Sequence, residues 1–110
     1  MQLNKHMLGN VTVITLDGSL DSATAPSAHD DLERLLSEKG LTVLDLGKMS
    51  YMSSAGLRVL LLVYRQAQST GARVALARVP PEVREIMSAT GFIDFFAVTD
   101  TVEEGVEAVA

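Results

Sequence analysis

Apolar residues in this chain alternate between short β-branched runs and longer stretches with helical spacing. Val11-Thr12-Val13-Ile14-Thr15-Leu16 lies between Gly9-Asn10 and Asp17-Gly18, which predicts a strand. Gly9-Asn10 is a two-residue hairpin signal and joins it to a preceding strand over Gln2 to Met7. Ala25, Ala28, Leu32, Leu35 and Leu36 then recur with the period of a helix. Thr24 is placed to cap that helix, Pro26 is tolerated in its first turn, and Gly40 is placed to end it. Leu41 to Leu46 is short and almost wholly apolar, as expected of a strand buried on both faces. A second helix runs from about Ser54 to Ser69 and is stopped by Gly71.

Arg73 to Ala77 predicts another central strand. Pro80-Pro81-Glu82 opens a third helix with Val83, Ile86 and Met87 on one face and Gly91 beyond it. Phe95-Phe96-Ala97-Val98 predicts a last short strand. Thr101-Val102-Glu103-Glu104 is a capping box, and Val102, Val106 and Val109 form the apolar stripe of a final helix. The order is ββαβαβαβα. Strands alternating with helices require right-handed crossovers, so the class is α/β, with a mixed sheet of about five strands and about four helices. No repeat or linker interrupts residues 1–110, which predicts a single domain.

Composition narrows the function more than the fold. The chain is 47% hydrophobic and 21% charged, enough for a core at 110 residues. It has no cysteine, which removes disulfides and thiolate metal sites. A net charge of -5 argues against direct nucleic-acid binding. Met1-Gln2-Leu3-Asn4-Lys5-His6 lacks the apolar run of a signal peptide. No segment approaches the roughly 18 apolar residues of a membrane span. The expectation is a cytoplasmic protein without membrane insertion.

Tyr51-Met52-Ser53-Ser54-Ala55-Gly56-Leu57-Arg58 carries the candidate chemistry. Two serines stand where a strand hands over to a helix, the usual place of sites in open α/β sheets. Small residues surround them, so both hydroxyls are expected near the surface. A helix N-terminus gathers unpaired N–H groups and partial positive charge, so it can hold an anion or tolerate a phosphate on a serine. A serine that only caps the helix is the simpler alternative. Leu57, Leu60, Leu61 and Tyr64 form the face expected to enter the core, and Val59, Leu62 and Val63 extend the apolar surface beyond it. Arg58 and Arg65 flank Leu62, an arrangement suited to a partner surface; a face covered by the chain's own neighbouring helices is the alternative. Asp21 lies in a loop after a strand and could sit beside the serine turn, facing a partner arginine; a solvated loop aspartate or a cap for the next helix is the simpler alternative.

Other chemistry finds little support. His6 and His29 have no metal-ligand partners at suitable sequence spacing. Ser-Ala-Gly is not a nucleophile elbow, and no phosphate-binding glycine loop occurs. No acid–base constellation is visible, so an enzyme, a catalytic residue, a metal and a cofactor are not expected.

Several of these segments together resemble the STAS domain family. Leu16-Asp17-Gly18-Ser19-Leu20-Asp21 with Ala23-Thr24-Ala25 is similar to its first loop. Val43-Leu44-Asp45-Leu46 followed by Tyr51-Met52-Ser53-Ser54-Ala55-Gly56-Leu57 is similar to its central strand and phosphorylation turn. Gly71-Ala72-Arg73 and Thr90-Gly91-Phe92 also fall where the family has them, so the likeness runs from about Leu3 to Val109.

Stand-alone members of this size resemble bacterial anti-sigma factor antagonists. The resemblance implies a protein that binds an anti-sigma factor, itself a serine kinase, and so releases the sigma factor. The kinase would inactivate it by phosphorylation, and a metal-dependent serine phosphatase would reverse this. By position the acceptor is Ser54. Ser53 stands where many members have aspartate, which leaves it as the alternative. Asp21, Ser53, Ser54, Arg58 and Leu62 are the implied partner-binding residues. Two other roles remain open: a non-phosphorylated STAS scaffold or transport-associated subunit, and a small-anion or nucleotide-binding sensor.

Overall fold

The computed structural model describes residues 1–36 and 40–110. Strand β1 (Gln2–Leu8) turns at Gly9-Asn10 into β2 (Val11–Leu20), and the two pair antiparallel with Leu8 opposite Val11. Helix α1 spans Ala25–Leu35, β3 Leu41–Asp45, β4 Met49–Met52 and α2 Ser54–Thr70. They are followed by β5 (Arg73–Ala77), α3 (Pro81–Ala89), β6 (Ala97–Thr99) and α4 (Val102–Val109). The sheet order is β1-β2-β3-β5-β6, and every pair except the hairpin is parallel. The expected order is therefore present, with β4 added beside the far end of β2.

Alternation along the strands divides the core in two. Ile14, Leu16, Leu44, Leu46 and Leu76 face α1, α2 and α3. Val11, Val13, Val43, Ala75 and Ala77 face α4. Both faces are covered, which is why these strands read as continuous apolar runs. Alanines on β5 and Gly105 let α4 lie close; a Cβ on Gly105 would stand 3.0 Å from Val43 Cγ1. Among the described residues no helix is long and apolar enough to cross a membrane.

Some boundaries differ from expectation. Helix α1 ends at Leu35, with Leu36 already extended, so Gly40 does not terminate it; residues 37–39 lie outside the described residues. Thr24 occupies the N-cap position, yet its hydroxyl donates to Ser19 O at 2.8 Å instead of capping. Gly71 does stop α2, in the left-handed conformation that glycine adopts without strain. Phe95 belongs to a 3₁₀ turn over Phe92–Phe95, and the strand begins only at Ala97. The left-handed Gly91 redirects the chain into that turn, and Phe95 stacks on Tyr64 with centroids 5.4 Å apart. Thr101 caps α4 as expected by accepting from Glu104 N at 3.1 Å.

Candidate functional site at the start of the second helix

The serine turn is held by β2. That strand pairs with β3 along its first half and with β4 along its last residues, Gly18 to Leu20. Leu20 is opposite Met52, and Ser53 N–H donates to Leu20 O at 3.0 Å. Ser53 and Asp21 are therefore the next residues along two paired strands. Helix α2 starts at Ser54, and its first turn rests on β2 through Gly56. A Cβ there would meet Leu20 O at 2.7 Å and Leu20 Cγ at 2.9 Å. Gly56→Ala is expected to lower stability by about 1–3 kcal/mol, despite the gain in helix propensity, because the backbone carbonyl must move. Urea denaturation reads this directly, and an unchanged midpoint would show that the contact does not hold the helix.

The two serines differ. Ser54 is exposed at the first helical position. Ser53 occupies the N-cap position with extended backbone, but its hydroxyl makes no capping bond. Its Oγ is enclosed and finds no hydrogen-bond partner. The expectation that both hydroxyls reach the surface is corrected for Ser53: backbone pairing to β2 turns its side chain inward. Neither hydroxyl caps the helix, so the first N–H groups of α2 and the positive end of its dipole remain available to charge outside it.

Asp21 is occupied locally. Its Oδ1 accepts from Ala23 N at 2.9 Å and Thr24 N at 3.1 Å, while Asp21 N donates to Thr24 Oγ1. The carboxylate thus fixes the turn that precedes α1, without capping the helix itself. Its Oδ2 makes no hydrogen bond among the described residues.

On α2, Leu57 and Leu60 are buried as expected, whereas Leu61 and Tyr64 are half-buried. Val59 and Val63 are also buried, because α1 packs on that side, so they do not extend the surface. Leu62 is 39% exposed and stays on it. Between the two helices runs an open trench of about 300 Å³, floored by Ala25, Pro26, Val59 and Leu62 with Arg58 and His29 on its walls. The helix places His29 Nε2 3.7 Å from Glu33 and Nδ1 4.0 Å from Asp30. These three ligand atoms lie within 4.8 Å of one another, a grouping the sequence spacing was not expected to give. Two of the three side chains are exposed carboxylates on a helix surface.

Sequence reasoning gave no separate weight to three further features. Tyr51 is 54% exposed on β4 beside the turn, and Ser19 and Ser50 hydroxyls meet at 3.1 Å across β2 and β4. The third is a clamp at the end of β3, near the start of α4. Arg78 Nε and Nη2 hold both Asp45 oxygens at 2.9 and 2.8 Å, and Gly47 N–H donates to Oδ1 at 3.0 Å. Burial pushes the Asp45 carboxyl up, but the Arg78 and Gly47 hydrogen bonds and the Arg78 charge outweigh it, leaving the group below its ordinary value. Arg78 reaches this position with φ 54, a left-handed backbone unusual for its type.

The family model of the STAS domain matches residues 2–105. The chain belongs to the STAS domain family. BtrV of Bordetella bronchiseptica, whose name is that of a candidate anti-sigma factor antagonist, is 34% identical over 110 residues, covering 98% of this chain and 94% of BtrV. Among solved structures, a candidate anti-sigma factor antagonist of Thermotoga maritima superposes with a TM-score of 0.89 at 20% identity, covering 97% of this chain and 93% of its own. The Bacillus cell fate determinant SpoIIAA in its phosphorylated form gives 0.72 at 20% identity, covering 99% and 100%. These structural likenesses carry the STAS fold, and they agree with the six-stranded sheet and the helices described above.

Proposed function

We propose that this STAS protein is an anti-sigma factor antagonist. It binds an anti-sigma factor that is also a serine kinase, releases the sigma factor, and is switched off by phosphorylation of Ser54. The observation that carries the reading is the contrast at the turn: Ser54 is exposed at an open helix N-terminus, while the neighbouring Ser53 Oγ is enclosed. The similarity to BtrV over nearly the whole chain supports the partner class. Phosphorylation has been captured on this fold in SpoIIAA.

The docking surface in this reading comprises Asp21, Ser53, Ser54, Arg58 and Leu62, which gather around the turn and the trench. The protein is a binding module and not an enzyme. The γ-phosphoryl group of ATP passes to Ser54 Oγ, ADP leaves, and the hydroxyl proton goes to a base on the kinase. A serine phosphatase returns the hydroxyl by hydrolysis. The reading implies a cytoplasmic protein that contacts no nucleic acid itself.

Incubation with the kinase and ATP, followed by mass spectrometry, tests the assignment. Phosphate is expected on Ser54, to persist in Ser53→Ala and to vanish in Ser54→Ala. Phosphate on Ser53, or no modification with no complex, would refute it.

A further inference from the structure

We infer that Arg58 is shared between two anions: a partner carboxylate when Ser54 is unmodified, and the phosphate on Ser54 once it is modified. The inference rests on the reading of Ser54 as phosphoacceptor and adds how the modification is sensed. Ser54 is the first residue of α2 and Arg58 stands four residues on, both exposed. Residues so spaced are neighbours on one face, with Cβ atoms about 5–6 Å apart. Long helical side chains lean toward the helix N-terminus, so the guanidinium, which lines the trench, is within reach of a phosphate at residue 54. Its planar fork matches two phosphate oxygens at once.

Arg58 is free to do this. Arg34, Arg78 and Arg84 each approach a carboxylate, whereas Arg58 and Arg65 make no ion pair among the described residues. Across the trench, His29 lies between Asp30 and Glu33. The whole chain carries -5, so an unpaired guanidinium beside an apolar trench is set against an acidic background. Charge complementarity then defines the occupant: a segment of the anti-sigma factor with one aliphatic side chain seated over Ala25, Pro26, Val59 and Leu62, and a carboxylate beside it on Arg58. Phosphate on Ser54 takes the same guanidinium in cis. The partner carboxylate then loses its cation and also faces the phosphate.

Phosphoserine installed at position 54 during translation separates this from the question of which kinase acts. Phosphorus NMR should show the phosphate of the otherwise native chain titrating at lower pH than in Arg58→Gln, with Arg58→Lys between them. Identical titration in the native chain and Arg58→Gln would overturn the capture. Binding to the anti-sigma factor kinase completes the test. Arg58→Gln should weaken the unmodified complex and shrink the further loss caused by phosphate by about tenfold, since two changes acting through one group do not add. Additive losses would overturn the sharing. Capture seen with installed phosphate, in a chain that no kinase modifies at Ser54, would sink the proposed function while supporting the capture itself.

Discussion

Phosphorylated protein should bind its anti-sigma factor about 30-fold to several-thousand-fold more weakly than unmodified protein, yet unfold at the same or a higher temperature. The modification adds about -1.5 to -2 charge at Ser54. Within the isolated domain that charge sits at a helix N-terminus, where it contributes a few tenths to about 1 kcal/mol in favour. In a close complex it must lose its water and face whatever the partner aimed at the turn. A mismatched buried charge costs roughly 2–5 kcal/mol, which sets the affinity range. Ser54→Ala should retain binding, because the Ser54 hydroxyl is exposed at the first helical position and does not cap the helix. Titration calorimetry and thermal melts on both forms read the two halves together. Equal affinities would refute the switch, and a large drop in melting temperature would mean that it acts by unfolding the turn.

Arg78→Ala should cost about 2–3 kcal/mol and weaken the acid dependence of stability. Asp45 is 8% exposed at its side chain and Arg78 is 46% exposed. Removing one partner of a fully buried pair costs roughly 3–5 kcal/mol, and the half-exposed guanidinium discounts this. In the native chain the folded Asp45 pKa is depressed. Its stabilisation is therefore present above the unfolded value near about 3.9 and is lost as pH falls through the folded value. Without Arg78, burial is opposed only by the Gly47 hydrogen bond and the His6 charge, so the folded carboxyl rises and less stability is lost on acidification. Arg78→Gly should recover part of the loss, since glycine accepts φ 54 without strain. Urea titrations at neutral and acid pH on the three proteins settle it. A parallel acid dependence in the native chain and Arg78→Ala would sink the argument.

Elements whose cause is local were legible in the sequence. The hairpin at Gly9-Asn10, the stop at Gly71 and the N-cap at Thr101 each follow from a few adjacent residues. Strand β4 was not, because Met49-Ser50-Tyr51-Met52 is short and half polar, and it becomes a strand only by pairing with Gly18 to Leu20. Aromatics at Phe95 and Phe96 suit a strand, and only the turn set by Gly91 shows otherwise. At the site, Asp21 and the serines were expected near one another because each follows a strand, but the β2–β4 pairing that joins them and the inward turn of Ser53, which depends on its bond to Leu20 O, could not be read from composition. Gly56 did leave a signal: a glycine one turn into a helix, where alanine is the better helix former, marks a close approach.

Leu20 is a shared datum for everything on this surface. Its carbonyl receives Ser53, its backbone bounds the space over Gly56, and the next residue begins the Asp21 turn. The height of Leu20 along the sheet is set by the parallel pairing of β2 with β3 over Val11 to Thr15 and with β4 over Gly18 to Leu20. A slip of one residue of β2 against these neighbours would put Ser19 or Asp21 at the junction and reverse which side chains of β2 face inward. The site is thus gauged from the middle of the sheet. A core substitution that shifted β2 against β3 would disturb recognition as surely as a change in the serines, with no docking residue altered.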